Sequence, residues 1–153
     1  MEIIHLVLGK ANPGRMNGVN KVVDQLASRQ VAAGLNAQVW GVTDNPVHDY
    51  PKRNYPTFLF KKSRSAFIIP TDLSKAMEKK KGIATFHLHG GFVPLMYAAA
   101  RTLRKLQIPF VITPHGAYNR IAMERSAFRK KIYFNLFEKA LLRGAHRIHS
   151  LGK

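Results

Sequence analysis

The feature that most limits how this chain can fold is an alternation. Short runs of β-branched and aromatic residues are followed repeatedly by longer stretches with helical spacing, the signature of βα units around a mostly parallel sheet. Residues 3–8 form a continuously apolar first strand, expected to be buried on both faces. After a glycine-containing turn, residues 9–18, the apolar positions Val19, Val22, Val23, Leu26 and Ala27 recur at helical spacing up to a stop at Gly34. Residues 37–42 read as a second strand carrying the only tryptophan, Trp40, and residues 43–56, with Pro46, Pro51 and Pro56, as a loop. A short strand is expected over 57–60, then a helix capped by Thr71 or Asp72 that runs through Lys80 and ends at Gly82.

Further along, residues 84–89 form a strand broken by Gly90-Gly91, Pro94 suits the first turn of a helix, and residues 97–106 are its body. Residues 109–113 are another strand, broken by Pro114-His115-Gly116. A long helix is predicted over 126–143, with Phe128, Ile132, Leu136 and Ala140 on one stripe, widened by Tyr133, Phe137 and Leu141 and expected to pack on the sheet. Residues 146–150 begin a last strand, with no helix after it, so the end reads as a boundary within a longer protein.

The length of 153 residues suits one domain, and 46% hydrophobic residues can form a core without disulfides. No cysteine is present, which removes thiol nucleophiles and thiolate metal sites and agrees with a reducing compartment. The longest uncharged apolar run, 92–100, is far short of the roughly 20 residues that span a bilayer. Glu2 stands where a signal peptide needs bases, so a cytoplasmic domain is expected.

Charge is the unusual part of the composition. Lys and Arg number 25 against 8 Asp and Glu, a net +17, which favours phosphate-bearing partners without choosing among nucleic acid, anionic lipid and phosphorylated small molecules. The basic residues fall in short blocks, Arg129-Lys130-Lys131 among them, rather than in a tail.

Three segments lie where an open α/β sheet presents ligand groups, beyond the carboxyl ends of strands. The first, residues 12–18, joins a strand to a helix whose free N–H groups favour anionic oxygens. It is neither a GxGxxG nor a P-loop, so dinucleotide and P-loop readings are disfavoured. In the second, strand alternation puts His87 and His89 on one face just before Gly90. No carboxylate lies near in sequence, so contacts to substrate, or histidines satisfied within the fold, are expected rather than a metal site. The third, residues 113–118, sets His115 in a sharp turn at a strand's end, with Gly116 and Tyr118 after it.

Read together, "NGVNKVVDQLASRQVAAGLNAQVWGV", "FHLHGGFVPLMYAAARTLRKLQIPFVITPHGAY" and "FRKKIYFNLFEKALLRGAHRIHSL" resemble the N-terminal domain of the GT-B-fold, retaining glycosyltransferases of family 4 (group 1). The likeness runs from the first strand to the last residue and is faintest over 43–81. It implies an α/β fold, a Rossmann-like three-layer α/β/α sandwich, that serves mainly the acceptor. A second domain, outside this chain, would hold the nucleotide sugar. The family usually has two glycines at the start of its first helix, and here Asn17 replaces the first, leaving Gly18. By this resemblance Asn17 and Gly18 approach the donor diphosphate and His115 contacts the donor sugar as the catalytic group. His87, His89, Gly90, Gly116 and Tyr118 are the accompanying substrate contacts. The expected partners are a nucleotide sugar and a glycan or lipid-linked acceptor, with no metal or other cofactor. Arg129, Lys130 and Lys131 are expected to face an anionic membrane, by surface charge rather than insertion.

Sugar transfer needs stabilisation of the departing diphosphate and of positive charge on the ring. No acid pair with hydrolase spacing is evident. The rival reading is a basic, non-catalytic membrane- or nucleic-acid-binding α/β module. Against nucleic acid stand the lack of a helix-turn-helix or zinc-finger pattern and the dispersal of the basic residues.

Overall fold

A computed structural model describes residues 1–15 and 18–151. Among these, six strands form a single sheet: β1 (Glu2–Leu8), β2 (Ala37–Thr43), β3 (Thr57–Lys61), β4 (Ala84–His89), β5 (Phe110–Thr113) and β6 (Arg147–Ile148). Their spatial order is β3-β2-β1-β4-β5-β6 and every pairing is parallel. This is the Rossmann-like order, in which the winding reverses between β1 and β4 and opens a crevice at their carboxyl ends. The helices are α1 (Gly18–Ala32), α2 (Thr71–Glu78), α3 (Pro94–Lys105), α4 (Arg120–Glu124), α5 (Ala127–Tyr133) and α6 (Lys139–Gly144), with a π-helical turn, Phe134–Glu138, between the last two.

The two faces of the sheet differ in chemistry. One carries Ile4, Leu6, Trp40, Phe86, Leu88, Phe110 and Ile112, packed with Leu73 and Met77 of α2 and Met96, Ala99 and Leu103 of α3. Trp40 meets Phe86 edge-on, with centroids 5.3 Å apart, and donates its indole N–H to Gln38 Oε1 at 2.7 Å, so the buried indole keeps a partner. The opposite face holds a smaller cluster in which Val23 and Ala27 of α1 cover Val7 and Val39. Beside it, where the alternation of β1 and β4 continues, this face carries imidazoles.

Several expectations are corrected. The helix after Pro70 has that proline, not Thr71 or Asp72, at its cap and makes no side-chain cap bond. The last strand is only two residues long. The helix predicted over 126–143 is interrupted by the π turn and begins after Ser126 in a left-handed conformation. Its apolar stripe holds on one side only: Phe128, Ile132 and Leu136 are 77%, 45% and 61% exposed, while in the widening set Leu141 is buried and Phe137 packs on Tyr97 of α3. Two adjacent stripes four residues apart satisfy the same periodicity, and sequence spacing cannot say which one meets the sheet. A turn with one extra residue then shifts the phase between them.

Candidate functional site

The crevice at the switch point is built from the ends of β1, β4 and β5. Register puts His5 of β1 beside His87 of β4, and His89 of β4 beside Thr113 of β5. Because side chains alternate, His5, His87, His89 and Thr113 project from the same face. His5 and His89 are buried, with His87 half-buried between them. Past β5 the chain turns sharply: His115 itself has φ +53° and Gly116 +75°. Gly90, at φ +131°, ends β4 and donates its N–H to the Thr113 carbonyl at 2.9 Å, locking the two turns side by side. A Cβ at either glycine would be strained in these conformations.

These residues form a continuous hydrogen-bonded chain. His115 Nε2 lies 2.9 Å from His89 Nδ1, His89 Nε2 lies 3.0 Å from His5 Nδ1, and His5 Nε2 donates to Gln30 Oε1 of α1 at 2.7 Å. A parallel branch joins His87 Nε2 to the Thr113 hydroxyl at 2.6 Å and that hydroxyl to His149 Nδ1 at 3.0 Å. Rings of His87 and His89 stack with centroids 4.2 Å apart.

Burial holds His5, His87, His89 and His115 neutral. His87 is pushed down to about 3, first by burial and then by its histidine neighbours. His115 falls to about 4 for the same reasons, led by burial. His89 lies well below its ordinary value through burial and its neighbours, and burial lowers His5, partly offset by its bond to Gln30. Nitrogen atoms of His5, His87 and His89 come within 4.8 Å of one another, a spacing a cation could bridge. However, both ring nitrogens of His5 and of His89 are already in hydrogen bonds, and no carboxylate joins the group among the described residues.

One acid does reach the crevice loops, from far along the chain. Glu138, fully buried on the π turn, accepts the Phe92 N–H at 2.8 Å and the Tyr118 hydroxyl through the same oxygen, Oε1. Its Oε2 has no partner among the described residues, and burial pushes the carboxyl above its ordinary value of 4.5. Tyr118, a sequence candidate, is thereby turned onto Glu138, and its hydroxyl is pushed up by burial and that bond.

Two hollows flank the crevice. One of about 340 Å³ is lined by His115, Gly116, Tyr118, Asn119, Ile148 and Ser150. The other, about 270 Å³, lies at the ends of β1 to β3 and the start of α3, with an apolar floor including Leu8 and Val93 and a rim of Lys62, Arg64 and Ser65. Lys62 is paired with Asp44 at 2.9 Å. The loop after β1 is tied down by buried Lys10, which donates to Asp49 at 2.8 Å, and by Arg53, which donates to the Ala11 carbonyl at 3.1 Å.

The structure thus brings His87, His89, Gly90, His115, Gly116 and Tyr118 to one edge of the sheet. Gly18 opens α1 at the end of the neighbouring loop, while Asn17 lies outside the described residues. Of the basic trio, Arg129 and Lys131 are exposed, but Lys130 turns inward, donates to the Ala122 carbonyl and sits 5.5 Å over the Phe92 ring. Sequence reasoning missed His5, Gln30, His149 and Glu138, and placed Thr113 in the third segment without giving it a role. The available signal was His5, a titratable residue in the middle of an otherwise apolar strand, which needs a buried partner.

Fold and site define a Rossmann-like α/β domain with a crevice at its β1–β4 switch point. The sequence profile of Glycosyltransferase Family 4 matches residues 16–151, and the chain belongs to that family, as the N-terminal type of domain in a GT-B glycosyltransferase. No curated protein matches the chain. Among solved structures, a homoserine dehydrogenase from S. aureus, crystallised at pH 7.0, is similar at 14% identity and a TM-score of 0.41. That match covers 99% of this chain and 32% of that one.

Proposed function

We propose that this chain is the acceptor-side domain of an enzyme that transfers a sugar from a nucleoside diphosphate to a glycan or lipid-linked acceptor, with retention of configuration, in the building of a bacterial surface polysaccharide. The observation that carries this reading is the placement of His115. A left-handed turn between Pro114 and Gly116 holds it at the switch-point crevice, with one ring nitrogen anchored to His89. Rigid placement lets a single polar contact favour the transition state over the ground state.

In this mechanism the sugar–phosphate bond lengthens and the acceptor hydroxyl attacks from the face the diphosphate is leaving. The departing phosphate oxygen takes the acceptor proton, so no protein nucleophile is required. Gly18 and the amino end of α1 face the diphosphate, and His115 holds the donor sugar. The hollow with the Lys62 and Arg64 rim takes the acceptor, its apolar floor suiting a lipid-linked one. The deciding experiment is His115→Ala in the complete enzyme, with folding checked by thermal melt. Loss of one such contact is expected to lower turnover by about a hundred- to a thousandfold, about 2.7–4 kcal/mol, with acceptor affinity little changed. Near-normal turnover in a folded variant would show that His115 only supports the turn.

The same reading includes an anionic membrane as a partner. Ile121, Phe128, Ile132 and Leu136 are exposed beside Arg125, Arg129 and Lys131, so this face offers apolar contact together with charge. That arrangement suits the boundary between lipid headgroups and chains. Among the described residues no helix is long and apolar enough to cross a membrane.

A further inference from the structure

We propose that Gln30, His5 and His89 are positioning residues that fix the tautomer of His115, so that it presents a bare Nδ1, a hydrogen-bond acceptor, to the crevice. The functional half of this inference rests on His115 contacting the sugar. The structural half does not.

The polarity follows from one end of the chain. Gln30 Oε1 can only accept, and it lies 2.7 Å from His5 Nε2, so that nitrogen carries the proton. A neutral imidazole has one N–H. His5 Nδ1 is therefore bare, and the proton in its 3.0 Å contact must belong to His89 Nε2. That leaves His89 Nδ1 bare, and His115 Nε2 must bring the proton to the 2.9 Å contact between them. His115 Nδ1 is what remains. No group among the described residues takes it, and the ring lines the 340 Å³ hollow.

Neutrality of His5 and His89 is required, because an imidazolium donates at both nitrogens and would set two N–H groups against each other, and neutrality of His115 is what leaves its Nδ1 bare. Burial supplies it. By contrast, the parallel branch through Thr113 fixes no direction, because a hydroxyl donates to one neighbour and accepts from the other.

The consequence is a preference in ligand chemistry. A bare nitrogen welcomes a hydroxyl, which can donate, and repels a phosphate or carboxylate oxygen, which would oppose lone pair to lone pair. His115 is thereby suited to a sugar hydroxyl and unsuited to the diphosphate. A turn of Gln30 that offered its NH₂ instead would reverse all three rings together, so a residue on α1 sets the ligand preference of a residue in the turn after β5.

The test is nuclear magnetic resonance on the protein with its histidine rings labelled with the spin-half nitrogen isotope, at mildly alkaline pH. Two-bond proton–nitrogen correlations report which nitrogen of each ring is protonated. Scalar coupling across an N–H···N bond reports each His–His contact directly. The expected result is protons on Nε2 of His5, His89 and His115, with couplings across both contacts. Gln30→Glu keeps an acceptor and the pattern. Gln30→Leu, a change at a half-buried position, removes the anchor, and protonated Nδ1 signals then emerge at all three rings together. A proton on His115 Nδ1 in the unaltered protein, a missing coupling, or a Gln30→Leu spectrum that changes His5 alone would overturn the proposal. None of these readouts involves sugar transfer, so their failure leaves the proposed reaction standing. Conversely, intact couplings alongside normal turnover of His115→Ala would overturn the ligand half of the inference.

Discussion

Acidification should destabilise this protein first through its histidines, beginning above the pH at which ordinary carboxylates protonate. The folded state holds His5, His87, His89 and His115 below the ordinary value of 6.5, so their contribution to stability is complete above that value. It is lost as pH falls toward the folded values, about 4 for His115 and about 3 for His87. In that window the unfolded chain binds protons that the folded chain refuses. Each such proton tilts stability by about 1.4 kcal/mol per pH unit. Glu138 works the other way: held above 4.5 by burial, it costs stability when it ionises and so is relieved as pH falls. Half-exposed His115, whose contribution water screens, roughly offsets it. His87 and His89, the two held farthest down, then leave about 2.8 kcal/mol per pH unit, with His5 adding to this near the onset. At the low end of a typical total of about 5–15 kcal/mol, that slope brings the transition about two pH units below the onset, roughly pH 4.5. Urea melts followed by circular dichroism at a series of pH values measure the slope. His87→Gln should reduce it by about one proton's worth. A stability that is flat between pH 7 and 5 would refute the reasoning, since it would mean the imidazoles are charged or solvated in the fold.

Glu138→Ala should cost about 1–3 kcal/mol for each donor left buried, namely the Phe92 N–H and the Tyr118 hydroxyl. Glu138→Gln, which still accepts both, should be close to neutral at pH 7 in the same urea melts. Co-sedimentation with anionic vesicles should fall sharply for Phe128→Glu with Ile132→Glu, while circular dichroism stays unchanged because both side chains lie outside the core. Equal binding by the variant would remove lipid as the partner of that face. His115→Gly should melt higher than His115→Ala, because an L-residue at φ +53° costs about 1–2 kcal/mol that glycine avoids. Equal melting temperatures would show the turn to be unstrained.

The sheet was legible in the sequence because its signals are local. The strands read at 3–8, 37–42 and 84–89 form at nearly those bounds, and glycine at Gly34 and Gly90 takes the positive φ that a stop requires. The edge carrying His87, His89 and His115 could likewise be read from alternation and turn chemistry. What could not be read depends on distant segments meeting. Gln30 is an ordinary polar residue at the end of a helix until β1 places His5 beneath it, and Glu138 lies 46 positions beyond Phe92, whose N–H it accepts. The stripe on the last helix, read too wide, has a different origin. Phe128, Ile132 and Leu136 are as apolar as Tyr133, Phe137 and Leu141, so hydrophobicity alone carries no information about which set is inward.

The π turn at Phe134–Glu138 makes the last helix behave like a ruler with one graduation too many. An additional residue is absorbed without any loop to show for it, and everything beyond is rotated relative to a regular helix. Removing a single residue from this turn would restore regular winding and leave Tyr133 and Leu141 on their present faces, because the deletion cancels the extra graduation. What it disturbs is the turn itself, which carries Glu138 and so the bonds to Phe92 and Tyr118. A residue removed from the regular winding on either side has no such turn to absorb it, and would swing the positions beyond it by about 100° and take Leu141 out of the core.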